Sequence, residues 1–448
     1  MNDAWFGVIG SSKGEAGLLE RWFHLKENET TVRRELFAGL TTFMAMAYIV
    51  VVNPRILSEG GMPADAVLFA TCLSAALATL VMGLWANYPI ALAPGMSLNA
   101  YFTYSVVIGR HVPWQTALGV VFLSGVLFLV LTLTKVREHI VNDIPDCLKY
   151  GTAAGIGLFI AFIGLRNAGL IVASPATLVT FGKISDHGAL LAIAGLLLTA
   201  ILMARRVSGA ILLGIVVIAL AGIPLGLTHW PGQLLSMPHP SGTFLKLDLA
   251  EAAKLGFGQL IFVFFFVDLF DNVGTLVGVC EQGKFLRDGK LPRASRALLA
   301  DAFGTMAGAL TGTSTVTSYI ESAAGVAAGG RTGLGNLLIA GLFGVAIFCA
   351  PLVAAVPAYA TAPALILVGA LMCGAISRVK WDDFTEAFPA FLAVIATPLT
   401  FSIATGLSLG LLSFTFLKLG AGRPKEISPL IWILSALFLL RYAFLGRE

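Results

Sequence analysis

Charge is scarce in this sequence. Of 448 residues only 12% are charged, 25 of them acidic and 29 basic, while 57% are hydrophobic and the mean hydropathy is +0.87. A soluble domain carries about 25% charged residues, and a single water-facing globule could not bury so much Leu, Ile, Val and Phe. The bilayer is the solvent that this composition requires. The net charge of +4 is too small to argue for nucleic acid as a partner. Cysteine is sparse as well. Cys72, Cys147, Cys280, Cys349 and Cys373 are scattered, mostly in apolar runs, and no pair has metal-ligand or redox spacing. They read as small hydrophobes in packed helices, and no metal or other cofactor is expected. The six histidines (His24, His111, His139, His187, His229, His239) fall in loops or at span ends, which excludes a histidine relay at mid-membrane. No cleavable signal peptide is visible: residues 1–35 are mixed and charged, so the first apolar span is expected to serve as the insertion signal. H-E-x-x-H is absent. GVCEQGK at 278–284 fits G-x-x-x-x-G-K, but Phe285 stands where Ser or Thr would hold magnesium, and the stretch leaves a membrane helix instead of joining a strand to a helix.

What is present is a series of long apolar runs separated by short polar loops, which read as membrane spans. They cover 36–53, 66–85, 88–108, 114–134, 146–165, 188–204, 208–227, 257–280, 296–312, 313–328, 332–352, 358–377, 388–420 and 428–445, about fourteen transmembrane segments of an all-α polytopic protein. The run 388–420 is too long for one straight span and is expected to bend or break near Gly406. With the N-terminus inside and one crossing per segment, 20 of the 29 basic residues fall in inside loops, which places both termini in the cytoplasm. One loop disagrees: 418–427 holds Lys418, Arg423 and Lys425 yet falls outside on this count.

Two segments differ from ordinary spans. YPIALAPGMSLNAYFTYSVVI (88–108) and TSTVTSYIESAAGVAA (313–328) are poor in Leu and rich in small and hydroxylic residues. Pro94-Gly95 blocks a continuous helix in the first, and Thr313, Thr315, Val316 and Thr317 favour extended chain in the second. Irregular backbone at membrane depth survives only where protein buries it or it lines a cavity, and such segments at matching places in two halves point to a transporter's binding site. Each of these is the third segment of a seven-segment half. Tyr48 to Asn99 spans 51 positions and Asp271 to Glu321 spans 50, which implies a 7+7 inverted repeat.

A carboxylate inside a span is costly and usually has a task. In FVFFFVDLFDNVGTLVGV, the eighth segment, Asp268, Asp271 and Thr275 share one helix face at i, i+3 and i+7, with Gly274 and Gly278 nearby to let another backbone approach. Glu321 opens the half-helix of the tenth segment, three residues after Ser318. The functional reading sets Asp271 and Glu321 across a central cavity, where they bind a polar ligand and take up a proton. The competing reading is hydrogen bonding between helices, and Asp268 in particular suits a holding role. Asn99 fits the edge of a heterocycle, or else caps a half-helix. Tyr48, Tyr101, Tyr319 and Phe270 could stack on a planar ligand, or simply pack. Asp301 is a weaker candidate, and Arg166 and Asp143 read as loop or span-end charges.

TTFMAMAYIVVVNPRIL (41–57), APGMSLNAYFTY (93–104), FVDLFDNVGTLVGV (266–279) and TSTVTSYIESAAGVAAGGRTGL (313–334) together resemble the AzgA-like purine (hypoxanthine/guanine/adenine) permeases, within the nucleobase transporters that include uracil and xanthine permeases. The resemblance runs from about residue 18 to the C-terminus. It implies a cytoplasmic N-terminal segment (1–35), a core domain (36–135 and 257–352), a gate domain (136–227 and 353–448) and a connecting loop (228–256). Short strands in segments 3 and 10 would cross near the membrane middle and frame the substrate. The resemblance also implies purine uptake by proton symport across the cell membrane. The family's acidic position in segment 8 falls on Asp271, its glutamate in segment 10 on Glu321 and its segment 3 asparagine on Asn99. Uracil permeases carry a histidine four positions after the segment 8 acid; here Thr275 stands there, which leaves the proton to carboxylates: Glu321, Asp271 and, more weakly, Asp268.

The expected substrate-binding set is therefore Asp271, Glu321, Asn99, Thr275, Tyr319 and Ser318, working by alternating access with the proton as coupling ion. The rivals are an anion exchanger on the same fold, which would want a basic residue near the centre, an intramembrane enzyme, whose flanking motifs are missing, and a channel, which needs no buried acids in broken segments. A homodimer built on the gate domain is left open.

Overall fold

The computed structural model describes residues 15–134, 143–237, 240–254, 260–285 and 291–444. After a short helix α1 (Glu15–Phe23), the first pass consists of α2 (Val32–Met46) and α3 (Ile49–Glu59), and the second is α4 (Ala64–Val81), whose end widens over Met82–Ala86. The third pass is a strand, β1 (Leu92–Pro94), followed by a half-helix α5 (Met96–Ala100) that continues in wide turns to Ile108. The fourth and fifth are α6 (Trp114–Leu133) and α7 (Asp146–Asn167). A hairpin of β2 (Ile171–Ser174) and β3 (Leu178–Phe181) leads to α8 (His187–Ala204) and α9 (Ala210–Ala221). A short α10 (Leu249–Lys254) precedes the second half: α11 (Leu260–Gln282), α12 (Ala294–Thr311), the strand β4 (Val316–Ser318) with its half-helix α13 (Ser322–Ala327), α14 (Leu334–Ala346) prolonged by α15 (Ala350–Ala354), α16 (Ala358–Cys373), α17 (Phe384–Thr400) and α18 (Ile403–Gly420). A last helix, α19 (Pro429–Phe444), follows. Among the described residues nine helices are long and apolar enough to cross a bilayer, and three shorter apolar helices accompany them.

The two halves have inverted topology and meet at their third passes. β1 and β4 pair antiparallel, Leu92 opposite Ser318, Ala93 opposite Thr317 and Pro94 opposite Val316. Two three-residue strands would leave open edges, which apolar surroundings do not tolerate. Each outer edge is closed by one threonine of the preceding helix. The Thr79 hydroxyl on α4 donates to the Leu92 carbonyl (2.9 Å) and accepts the Leu92 N–H (3.0 Å). The Thr305 hydroxyl on α12 does the same for Val316, at 3.1 and 3.3 Å. The same device therefore occurs once in each half, on the first residue of each strand. The approach to β1 is held by Asn336 of α14, whose Nδ2 donates to the carbonyls of Thr79, Tyr88 and Ile90.

Helices cross closely where glycine meets glycine. A Cβ on Gly39 of α2 would lie 2.5 Å from the Gly335 carbonyl of α14, and a Cβ on Gly157 of α7 would lie 2.6 Å from the Gly369 carbonyl of α16. At both crossings only hydrogen fits. The buried carboxylate of Glu35 on α2 accepts the backbone N–H groups of Arg331 (2.8 Å) and Thr332 (3.2 Å), fixing the chain that enters α14.

The long run 388–420 is a helical hairpin. The reversal falls at Phe401, whose φ is +50, and Ser402, whose hydroxyl caps α18 by accepting the Thr405 N–H. This corrects the expected break near Gly406. That glycine lies inside α18, at a spot where a Cβ would come within 2.0 Å of Thr397 Oγ1 on α17. The hairpin also settles the misplaced basic loop: Arg423 bonds Asp383 at the start of α17 (2.7 Å), so 418–427 lies at the same end of the bundle as 378–383. Among the described residues the fourteenth pass ends at Gly420. α19 runs back along α18, with hydroxyl contacts Thr415–Ser435 (2.7 Å) and Ser408–Tyr442 (2.6 Å).

Candidate functional site

The site is assembled around the β1–β4 crossing. Beyond the strands the pairing extends by one bond at each side: Gly95 N–H to the Thr315 carbonyl and Tyr319 N–H to the Ala91 carbonyl, both 3.0 Å. β1 then turns into α5 and β4 into α13, so the two half-helices start near one another, pointing oppositely. α11 lies beside them and contributes Asp271.

Each of the two carboxylates is held by a hydroxyl from the other half. Ser97, in the first turn of α5, donates to Asp271 Oδ2 at 2.9 Å. Tyr48, where α2 passes into α3, donates to Glu321 Oε1 at 2.5 Å. Glu321 occupies the N-cap position of α13, where its charge also suits the half-helix N-terminus. A Cβ on Gly95 would meet Thr317 Cγ2 at 2.7 Å and lie 3.8 Å from Asp271 Oδ2, so the bare backbone of Gly95 separates β4 from that carboxylate. Asp271 and Glu321 are thus carried to the same crossing from positions 50 residues apart.

The remaining expected residues have distinct surroundings. Thr275 is partly exposed on the Asp271 face of α11, whereas Asp268, one turn earlier, is fully buried. Asn99 is fully buried in α5; its Oδ1 accepts the Ser314 hydroxyl just ahead of β4, and its Nδ2 has no partner among the described residues. It ties one half-helix to the opposite strand and is not a cap. Ser318 is buried in β4, its hydroxyl without a partner among the described residues. Tyr319 is strapped across β1 by donating to the Pro94 carbonyl at 2.5 Å. Tyr101 packs edge-on to Phe264 with ring centroids 5.1 Å apart, Asp301 is buried in α12, and the Phe270 side chain lies outside the described residues.

Gly274 and Gly278 do not receive another backbone. Among the described residues nothing lies within 4 Å of a Cβ on Gly274, and only the Ile320 side chain approaches Gly278, at 3.7 Å. Asp271, Gly274, Thr275 and Gly278 instead form a partly or fully exposed stripe along α11, running from the carboxylate towards Gln282. Ile320, next to Glu321, is 49% exposed beside it. Small residues therefore make up most of the exposed stripe beside the carboxylate.

Sequence reasoning did not single out Ser97, Thr79 or Thr305, and it weighed Tyr48 only as a stacking or packing ring, whereas its hydroxyl donates to Glu321. Asn53 was also missed: its Nδ2 donates to Thr71 (2.7 Å) and to Thr313 (2.9 Å), anchoring the lead-in to β4. The one available signal was the polar residue type inside an apolar run.

A model of the Permease family (Xan_ur_permease) matches residues 33–409. The chain is 45% identical to the adenine permease AdeP of Escherichia coli, covering 96% of this chain and 97% of that protein. It is 46% identical to the guanine/hypoxanthine permease PbuO of Bacillus subtilis, covering 94% and 99%. Among solved structures, the transmembrane domain of a cyanobacterium bicarbonate transporter, BicA, superposes with a TM-score of 0.64 at 18% identity over 84% of this chain and 97% of that one. The anion transporter Slc26a9 of mouse, in its inward-facing state, gives 0.62 at 10% identity over 94% and 74%; at these identities the likeness is one of fold. The chain belongs to the Permease family: it is a multi-pass membrane transporter with two inverted seven-segment halves, not an enzyme.

Proposed function

We propose that the protein imports purine nucleobases (hypoxanthine, guanine or adenine) by proton symport, with the β1–β4 crossing as the substrate site. The observation that carries this reading is the pair Asp271 and Glu321, one carboxylate on α11 and one at the head of α13, each held by a hydroxyl of the opposite half. Carboxylates accept the ring N–H groups of a neutral purine, and in this reading Asn99 Nδ2, Thr275, Ser318 and Tyr319 take its remaining edge. A carboxylate at membrane depth can also carry the proton, with Glu321 and Asp271 first and Asp268 behind them. Curated relatives named as adenine and guanine/hypoxanthine permeases support the substrate class.

In this reading 36–135 and 257–352 form a core that moves against a gate of 136–227 and 353–448, joined by 228–256, while the N-terminus and basic loops face the cytoplasm of the cell membrane. Neighbours of the same fold transport anions. That chemistry suits this chain poorly, because carboxylates stand at the strand crossing where an anion would need cations or free half-helix N-termini. The test is uptake of radiolabelled hypoxanthine, guanine, adenine and uracil in cells lacking their own nucleobase permeases, with and without a protonophore. Purine uptake abolished by the protonophore and by Glu321→Gln supports the proposal. Well-expressed protein that takes up no nucleobase refutes it.

A further inference from the structure

Among the described residues the exposed stripe along α11 runs from the Asp271 carboxylate towards one end of the bundle. It follows Asp271, Gly274, Thr275 and Gly278 towards the end where α11 finishes, the end that carries the basic loop after Gln282. At the opposite end, where α3, α7 and α17 finish, four side chains close together. Glu59, the last residue of α3, accepts the Tyr104 hydroxyl (3.0 Å) and the Asn167 amide (3.3 Å), and pairs with Arg166 at 3.9 Å. The Arg166 guanidinium also lies over the Tyr104 ring, 5.6 Å from its centroid. Glu59 and Tyr104 belong to the first and third passes; Arg166 and Asn167 end the fifth. One residue further, Ser105 donates to the carbonyl of Phe401 (2.5 Å), the residue at which the α17–α18 hairpin reverses. Phe401 is itself fixed edge-on between Phe159 and Phe162, centroids 5.5 and 5.4 Å away.

These contacts cross between the parts proposed above as core and gate, and the inference rests on that division. We infer that Glu59, with Arg166 and Asn167, is the latch that seals the site from the outer face in this state, and that it parts when the site opens to load substrate. The latch is well suited to opening. Glu59 and Arg166 keep side-chain exposures of 26% and 49%, and a partly exposed ion pair is worth little enough to break in each cycle. The Ser105–Phe401 bond reaches a carbonyl at a turn, so separating the two costs no helical bond. Lining the outer seam with polar groups also lets water replace each contact on opening, which an apolar seam would not allow.

The test uses full-length protein in intact cells, with the five native cysteines replaced by alanine and a reporter Ser105→Cys in the seam, labelled from outside by a membrane-impermeant maleimide. Latch variants Glu59→Gln and Arg166→Gln are expected to speed labelling about two- to fivefold, the range that loss of one partly exposed pair allows. Asp65→Asn, an exposed acid at the same end of α4, is expected to leave the rate unchanged. The swap Glu59→Arg with Arg166→Glu is expected to restore part of the slow labelling, because the ion pair returns while Tyr104 and Asn167 lose their acceptor. Unchanged labelling in both latch variants, an equal rise in Asp65→Asn, or labelling in the swap as fast as in the single variants would each overturn the latch. Labelling reads the seam and not the cargo, so its failure is distinct from a failure of purine uptake.

Discussion

The Tyr48 hydroxyl donates to Glu321 Oε1 at 2.5 Å although the two residues stand 273 positions apart. One comes from the kink of the first pass and the other from the head of the half-helix in the tenth, so the bond spans the two inverted halves. The Ser97–Asp271 bond, 174 positions in sequence, spans them in the same sense. The carboxylates therefore belong to one half and their hydroxyl partners to the other.

Tyr48→Phe removes a donor from Glu321 and keeps the ring. A hydrogen bond to a charged group contributes about 1.5–3 kcal/mol, so apparent purine affinity is expected to fall about tenfold or more, with protein level unchanged. Competition of unlabelled purine against labelled uptake measures it. An affinity equal to wild type would show that the hydroxyl only packs.

For the second carboxylate the informative experiment is a double-mutant cycle. Ser97→Ala and Asp271→Ala should each reduce uptake, and their combination should cost less than the two losses multiplied, because either change already removes the shared bond. Strict multiplicativity would mean that the two groups act separately.

Thr79→Val and Thr305→Val each strip a strand residue of a donor and an acceptor in apolar surroundings. An unsatisfied buried group costs about 1–3 kcal/mol. Both variants are expected to lower the thermal unfolding midpoint of the purified protein by several degrees, and Thr→Ser at the same positions to lower it less, since the hydroxyl remains. A Val variant as stable as wild type would show that the hydroxyls do not close the strand edges.

The end of the α17–α18 hairpin should respond to acid. Thr385 and Arg423 hold the Asp383 carboxyl well below the usual carboxylate range, with Lys418 adding to them, and Arg423 and Lys418 hold Glu426 down. A carboxyl depressed by folding stabilises the fold above its unfolded pKa of about 4 and loses that contribution as pH falls through the folded value. Wild type is therefore expected to unfold at higher temperature than Asp383→Asn at pH 7, and the gap to narrow as pH drops below about 5. A gap independent of pH would contradict the ionic origin.

Much of this site was legible before any coordinates. Pro94-Gly95 and the Thr313–Thr317 stretch announced two breaks in helix at matching positions, and those became β1 and β4. Asp271 and Glu321 stood out because acids are rare inside spans. Less visible were the hydroxyls, since Ser and Thr in apolar helices usually bond their own backbone four residues back, as Thr71, Thr132 and Thr311 do. Nothing local distinguishes Thr79 or Thr305 from these. The α17–α18 reversal was misplaced for a related reason: glycine marks a flexible point, yet Gly406 is required by close packing, and Phe401, a bulky residue, takes the positive φ.

What the sequence determined by itself is the solvent and the symmetry. Apolar runs of span length demand a bilayer, and two interrupted segments at equal places in two odd-numbered halves demand inversion, because both follow from length, hydropathy and the backbone's need for hydrogen bonds. What tertiary structure alone decided is which groups meet: Tyr48 with Glu321, Ser97 with Asp271, Glu59 with Arg166. Those pairs join distant passes, and the register of one helix against another depends on close approaches such as Gly39 to Gly335 and Gly157 to Gly369. A contact set by packing across the bundle leaves no trace in the neighbouring sequence of either partner.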